Sequence, residues 1–418
     1  MVTLTAIATA TVIIKMTEIH AALLNILKCA LSGVKAPDLH HFTPDLWESL
    51  INLSLEQKVL PLVYDVIYAQ IPTTQLRTTV RHQIMVQTMK TDAFLRLYQN
   101  WTSVDAYPIV VKGIICRSLY PKPDLRPSSD EDILVDPKQL AKVVNALEQY
   151  GLFTTETDPE AYEFPYRCSK NPLYIELHRS LFQPKSESYG HWNALFSDAF
   201  ESDYYIECFN TRIRTLPPTQ HLLYLICHAL KHFVHSGFGI RQVCDMTLFA
   251  SHYGPEIDWN LLLEQCKRIR AERFSASVFE IGRQYLNFNP DKACYPAYWS
   301  SIAADPSDLL HDLLCGGVYG TATATRVHSS NMTLDAMIGN AREGGGTSVL
   351  RVIFPSANKI SGNYPYLNKR PWLLPVAWTH RIFKYGKEMR ASGSASALES
   401  VQIGNQRVEL LRQYGVIK

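Results

Sequence analysis

The chain has 418 residues, 46% hydrophobic and 19% charged, which excludes a disordered, collagen-like or disulfide-scaffold protein and leaves room for two or three domains. Its 41 Lys and Arg against 39 Asp and Glu give a formal charge of +2, so any anion-binding surface is local rather than a property of the whole chain. The nine cysteines are widely spaced and form no CxxC, which excludes a zinc ribbon or a secreted framework and predicts reduced thiols in a cytoplasm, packed as small hydrophobes.

Residues 1–15 are apolar but too short to span a bilayer, and they lack the basic flank and cleavage site of a signal peptide. Met16 opens a better-patterned stretch, so residues 1–15 are expected to be a start-site artefact or disordered. No later run of uncharged apolar residues is long enough to predict a transmembrane segment. From Thr17 to Leu31, Ile19, Leu23, Ile26, Leu27 and Leu31 recur at helical spacing, and Gly33 supplies a stop. Thr43-Pro44 reads as an N-cap and a first-turn proline opening a second helix, with Leu46, Leu50 and Leu53 on one side. A third helix is expected from Gln75 to about Trp101, which makes 16–104 an N-terminal helical region.

At Tyr107 the texture changes. A β-branched run, Pro108 to Val111, leads through Lys112-Gly113 into a helix reaching Leu119. A strand from Glu131 to Val135, a helix from about Pro137 to Tyr150 and extended runs near 153–157, 162–168 and 173–181 follow. This order predicts a small α/β unit with a mixed sheet over 105–212. After Leu216-Pro217-Pro218 the helical period returns, with Leu222, Leu225, Ile226, Ala229 and Leu230 on one stripe, giving a helical lobe over 213–300. Residues 301–418 read as a helical or irregular basic tail. The fold class expected is α+β, a small mixed-sheet core flanked by N-terminal and C-terminal helical regions.

Ser129-Asp130-Glu131-Asp132 carries the chemistry. In a strand, residues i and i+2 share a face, so Asp130 and Asp132 present two carboxylates side by side while Glu131 faces away. Two Mg²⁺ ions (or Mn²⁺) about 3.5–4 Å apart, shared with substrate phosphates, answer that geometry. In Leu173 to His178 the alternation puts Glu176 on the polar face, a third carboxylate if this strand neighbours the first. The turn Lys112-Gly113 opens a helix whose free N–H groups suit a phosphate, with Lys112 and Arg126 adding charge. Three carboxylates, two cations and a cationic rim describe phosphoryl or nucleotidyl transfer.

The stretch VVKGIICRSLYPKPDLRPSSDEDILV, followed by IELHRSL, resembles the signature of an uncharacterised nucleotidyltransferase family, a branch of the DNA polymerase beta-like nucleotidyltransferase superfamily. Phe42 to Tyr64 is similar to the family's helical lead-in, and His221 to Ala250 to its later helical region. Phe354-Pro355-Ser356 and Tyr364 through Trp378 look like a tail found in some members. The resemblance implies a nucleotidyltransferase core acting on an NTP and an unidentified acceptor, with Asp130 and Asp132 as paired metal ligands and Glu176 as the third acid. Lys112 and Gly113 match a "KG" where the wider superfamily carries Gly-Ser; here Ile114 follows, so a hydroxyl contact to phosphate is lost, and Arg126, Ser128 or Ser129 stand near enough in sequence to replace it. His178 matches the family's "ELH".

Other residues give weaker signals. His228 and His232 lie four apart on one expected helix, a spacing that suits zinc, but no HExxH glutamate separates them. Lys231, Arg241 and Asp245 are second-rank candidates for nucleotide or acceptor contacts, an ordinary solvated helix face being the plainer reading. Gly344-Gly345-Gly346 lacks the lysine of a phosphate loop. Arg351 to Arg390 carries eight Lys or Arg against Glu388 alone, interleaved with aromatics, a composition suited to a partner or a membrane surface. The competing functional class is a non-catalytic nucleotide-binding or interaction module on the same fold, with a zinc hydrolase built on the His228 helix ranked last.

Overall fold

The computed structural model describes residues 16–71, 74–158, 160–235, 237–316, 324–340, 364, 366–380 and 397–418. The expectations for residues 1–15, for the Gly344–Gly346 loop and for the parts of the basic tail at 317–323, 341–363, 365 and 381–396 fall outside the described residues.

Local chemistry sets the N-terminal helices. Thr17 accepts a hydrogen bond from the His20 N–H to cap α1 (Glu18–Ser32), and Gly33 closes it at φ 68. Thr43 does the same for Leu46 at the start of α2 (Pro44–Glu56). The end of α2 departs from this rule. Lys58, not a glycine, takes the left-handed position, at φ 55, which costs an L-residue roughly 1–2 kcal/mol. α3 (Leu60–Ile67) and the 30-residue α4 (Thr74–Ser103) follow. α4 buries Phe94, Leu97, Tyr98 and Trp101 completely, and the Trp101 indole donates to the Val143 carbonyl at 3.1 Å.

The mixed sheet holds β1 (Ile109–Val111), β2 (Glu131–Leu134), β3 (Leu152–Thr154), β4 (Glu163–Cys168) and β5 (Tyr174–His178), in the spatial order β1-β2-β5-β4-β3. Only the central pair, β2 and β5, is parallel. Its register sets Asp132 opposite Glu176. The one-turn α5 (Gly113–Arg117) links β1 towards β2, and α6 (Leu140–Gln149) packs on the sheet from the side of α4. A separate hairpin, β6 (Tyr205–Cys208) and β7 (Thr211–Arg214), turns through Phe209 and Asn210 at φ 49 and 59. Two consecutive positive φ angles are the mark of a type I′ turn, here built without glycine.

The C-terminal half is helical: α7 (Pro218–His235), α8 (Ile240–Tyr253), α9 (Trp259–Arg268), α10 (Glu272–Tyr285), α11 (Ala297–Ile302), α12 (Ser307–Cys315), α13 (Ala324–Asn340) and, after the short turn Tyr366–Lys369, α14 (Ala397–Gln413). One hydrophobic core runs from Leu23 through Ile175 and Leu230 to Tyr414. Two polar clamps hold it together. The buried Gln57 amide donates to the Leu313 carbonyl at 2.9 Å and accepts from the Ile240 N–H at 2.9 Å, joining the end of α2 to α8 and α12. Arg407 of α14 donates to the carbonyls of His235 at 3.1 Å and Phe233 at 2.5 Å, satisfying the last turn of α7. Among the described residues no helix is long and apolar enough to cross a membrane.

Candidate active site

Glu131 and Asp132 point to opposite faces of β2, as the strand period requires. Glu131 is buried and accepts from the Ile114 N–H at 2.6 Å and from Arg117 Nη2 at 2.6 Å. A Cβ on Gly113 would lie 2.0 Å from Glu131 Oε2, and Gly113 holds φ 35. Glycine is therefore needed there so that the Glu131 carboxylate can reach the first turn of α5. This corrects the expectation that Gly113 and the α5 N-terminus cradle a phosphate: the Ile114 N–H is already spent on Glu131, and α5 has only five residues. Gly113→Ala should destabilise the protein by at least about 2 kcal/mol, read as a lower urea midpoint, because the methyl displaces a buried charge-assisted hydrogen bond.

Lys112 holds φ 59 and ψ −126, a strained backbone that costs about 1–3 kcal/mol and persists only when its surroundings impose it. Its N–H donates to His221 Nε2 at 3.1 Å. His221 Nδ1 lies 3.0 Å from the Thr215 hydroxyl, which donates to the Val110 carbonyl at 2.7 Å. That chain of donors assigns His221 as the neutral Nδ1–H tautomer. Burial holds its pKa down to about 3. The strain aims the ammonium: Lys112 Nζ stands 2.7 Å from Asp132 Oδ2, 3.9 Å from Asp130 Oδ1 and 3.1 Å from His228 Nε2. A cation of the chain itself thus sits between the two aspartates.

On the other side of Asp132 lie Glu176 and His178 of β5. Asp132, Glu176 and His178 each offer one ligand atom, and these atoms all fall within 4.8 Å of one another. Asp130, which the sequence placed in a three-carboxylate cluster with Asp132 and Glu176, is outside this group and faces Lys112 from the residue before β2. His178 Nε2 is 3.4 Å from Asp132 Oδ1 and 3.9 Å from Glu176 Oε2, and Nδ1 is 3.7 Å from Glu163 Oε2. Neither buried ring nitrogen makes a well-formed hydrogen bond, an under-filled arrangement that a bound cation would complete.

The protons report the same crowding. Burial alone would raise the Asp132 carboxyl, but Lys112 and His178 outweigh it and hold it well below the usual range. Burial likewise opposes the Lys112 ammonium, which Asp132 and Asp130 hold above its ordinary value. For Glu176 the balance goes the other way, Lys112 opposing the shift only weakly. Burial, then the charges of Asp132, Asp130 and Glu163, push it up to about 8. Two carboxylates and an imidazole so placed fit a divalent cation, which would let both acids ionise together.

A polar pocket opens beside this cluster, between the Lys58 turn, the loop before β2, and α7 and α8. Lys58, Lys112, Arg126 and Arg241 supply its positive lining, with Ser129 and Asp130 at its edge. Arg126 forms a buried bidentate pair with Asp245 at 2.8 and 2.6 Å, to which the Tyr120 hydroxyl also donates at 2.8 Å. Arg126 Nη1 remains buried without a partner. Arg241 donates to the Pro127 carbonyl. Lys231 is not part of this pocket lining; its ammonium lies 5.9 Å above the Tyr189 ring. His228 and His232 line the pocket with their Nε2 atoms 3.2 Å apart. Burial and Lys112 hold both imidazoles well below their ordinary pKa. The Lys112 ammonium beside His228 removes the zinc reading of this helix, since it occupies the approach a metal would need.

A family model described as uncharacterised nucleotidyltransferase matches residues 43–287, more than half of the chain. No curated protein and no solved structure matches it.

Proposed function

Because the chain belongs to the uncharacterised nucleotidyltransferase family, we propose that it moves a nucleoside monophosphate from an NTP to a hydroxyl-bearing acceptor and releases pyrophosphate. The observation that carries this reading is the Asp132–Glu176–His178 cluster standing against a pocket lined by Lys58, Arg126 and Arg241. Asp132, Glu176 and His178 would hold Mg²⁺ or Mn²⁺, the imidazole favouring Mn²⁺. Bound there, the cation supplies charge neutralisation and polarises a phosphate oxygen.

The chain's own groups do the rest. The orphaned Arg126 Nη1 and the Lys58 and Arg241 side chains hold the triphosphate. Glu176, in its carboxylate form, takes the proton of the acceptor hydroxyl. The acceptor oxygen bonds to the α-phosphorus, the bond from that phosphorus to the β-bridging oxygen breaks, and pyrophosphate departs with the electron pair. Lys112 has to leave the space between Asp130 and Asp132 whenever a second cation is bound there.

That lysine is also the one observation favouring a second reading, a nucleotide-binding module without turnover. Incubation with each α-labelled NTP and Mg²⁺ or Mn²⁺, with and without cell extract, separates the two. Label should move to an acceptor with release of pyrophosphate, and a chelator should stop it. Stabilisation by NTP, about 2.7 kcal/mol at a hundred times its Kd, with no label transferred under any condition, would replace transfer with binding.

A further inference from the structure

A second pocket adjoins the first and shares only Lys58, Ser129 and Arg241 with it. Its far side is made by α4, through His82, Gln83, Val86, Gln87 and Lys90, and its floor by the loop from Pro127 to Ser129. The lining is chemically lopsided. Lys58, Lys90, Arg241 and His82 bring positive or protonatable groups, and no Asp or Glu lines it among the described residues. Leu55, Leu60, Pro61 and Val86 add an apolar part to the lining.

One atom in this pocket is left over. Gln87 is 2% exposed, and its Oε1 accepts from the Ser128 N–H at 2.7 Å, which fixes the amide's orientation. Its Nε2 is then a buried donor with no partner. Leaving such a donor unsatisfied costs about 1–3 kcal/mol. Lys90 Nζ donates to the Ser128 carbonyl at 2.9 Å and the Ser129 carbonyl at 3.2 Å, leaving a third N–H beside Gln87 on the same helix face, three residues away. The Gln87 amide and the Lys90 ammonium thus line the pocket from one helix. No Tyr, Phe or Trp is present on which a base would stack.

We propose that this pocket is the acceptor subsite and that the acceptor carries a phosphate group. The phosphate is held by Lys90, the Gln87 amide and the shared Lys58 and Arg241, while an apolar portion lies on Leu55, Leu60, Pro61 and Val86. Ser129 and Asp130 then separate the acceptor's anionic end from the triphosphate. The acceptor assignment rests on nucleotidyl transfer as the reaction; the anion site itself does not.

The test is calorimetric titration of inorganic phosphate, and separately acetate, into the full chain saturated with Mg²⁺ and the four α,β-methylene NTP analogues. Lys58 and Arg241 serve both pockets, so the variants are Lys90→Met and Val86→Trp, the second filling the pocket from its apolar part while leaving every cation in place. Phosphate should still bind the analogue-saturated protein. Lys90→Met should weaken it about tenfold or more, the loss of one charge-assisted hydrogen bond, with analogue affinity changed less than about twofold. Val86→Trp should abolish phosphate binding. Phosphate excluded by the analogue would mean that the pocket holds the nucleotide's own phosphates and would overturn the proposal. Binding unchanged in both variants, or acetate binding tighter than phosphate, would overturn it equally. Lys90-dependent phosphate binding with no analogue binding at all would uphold the anion site and count against nucleotidyl transfer instead.

Discussion

Glu176→Gln is expected to reduce nucleotidyl transfer at least about a thousandfold while making the metal-free protein more stable, not less, at neutral pH. The reason is the proton that Glu176 already carries. With its carboxyl pushed up to about 8 by burial and by Asp132, Asp130 and Glu163, the metal-free site at pH 7 holds a neutral acid there, and glutamine copies its shape and charge. The unfolded chain loses that proton near the ordinary value of 4.5. Between about 4.5 and 8 the folded state therefore binds more protons than the unfolded one, and this group's contribution to stability falls as pH rises through that window. Glu176→Gln should flatten the decline, which urea midpoints across the window will show. Cation binding must expel the same proton, so Mn²⁺ affinity of the unsubstituted protein should climb with pH and level off above about 8. An affinity independent of pH would place the cation away from Glu176.

Arg117→Met should cost about 3–5 kcal/mol of stability, the penalty of leaving a buried carboxylate without its partner. Arg117 and Glu131 are both fully enclosed, their side chains 0% and 3% exposed, and joined at 2.6 Å. Unlike the residues at the pocket, neither faces ligand. Adding Glu131→Gln to Arg117→Met should recover part of the loss, because an amide is cheaper to bury than an unpaired charge. A double variant no more stable than Arg117→Met alone would mean that Glu131 matters through the Ile114 N–H and the shape of the Lys112-Gly113 turn rather than through charge. Chemical denaturation of the three variants decides between these outcomes.

How much of this was legible in the sequence depended on whether the signal was local. Thr17, Gly33, Thr43 and Pro44 state the limits of α1 and α2 in cap chemistry, and the structure follows them closely. The hairpin β6–β7 was missed because its turn uses Phe209 and Asn210 in left-handed conformation, with no glycine to announce it. Lys58 was invisible for the same reason: a left-handed lysine at a helix end looks, in sequence, like any exposed lysine. Within the site, the alternation along β2 correctly separated Asp132 from Glu131, and the parallel neighbour brought Glu176 to Asp132. Sequence placed the start of β2 at Glu131, as the structure has it, but could not show that Lys112 leans back between the aspartates. It also could not show that Arg126 is committed to Asp245, a partner more than a hundred residues away. Helix packing, not spacing, makes those contacts.

The Arg407 clamp has a consequence for biogenesis. The carbonyls that it satisfies end the helix whose His228 and His232 line the polar pocket. A nascent chain still hidden beyond residue 340 in the ribosomal tunnel would have β1 to β5 available but the terminal turn of that helix unfinished. The pocket beside that helix is thus completed by a segment 172 residues further along the chain, and ribosome-stalled intermediates should gain any ligand affinity of the pocket only once Arg407 has emerged.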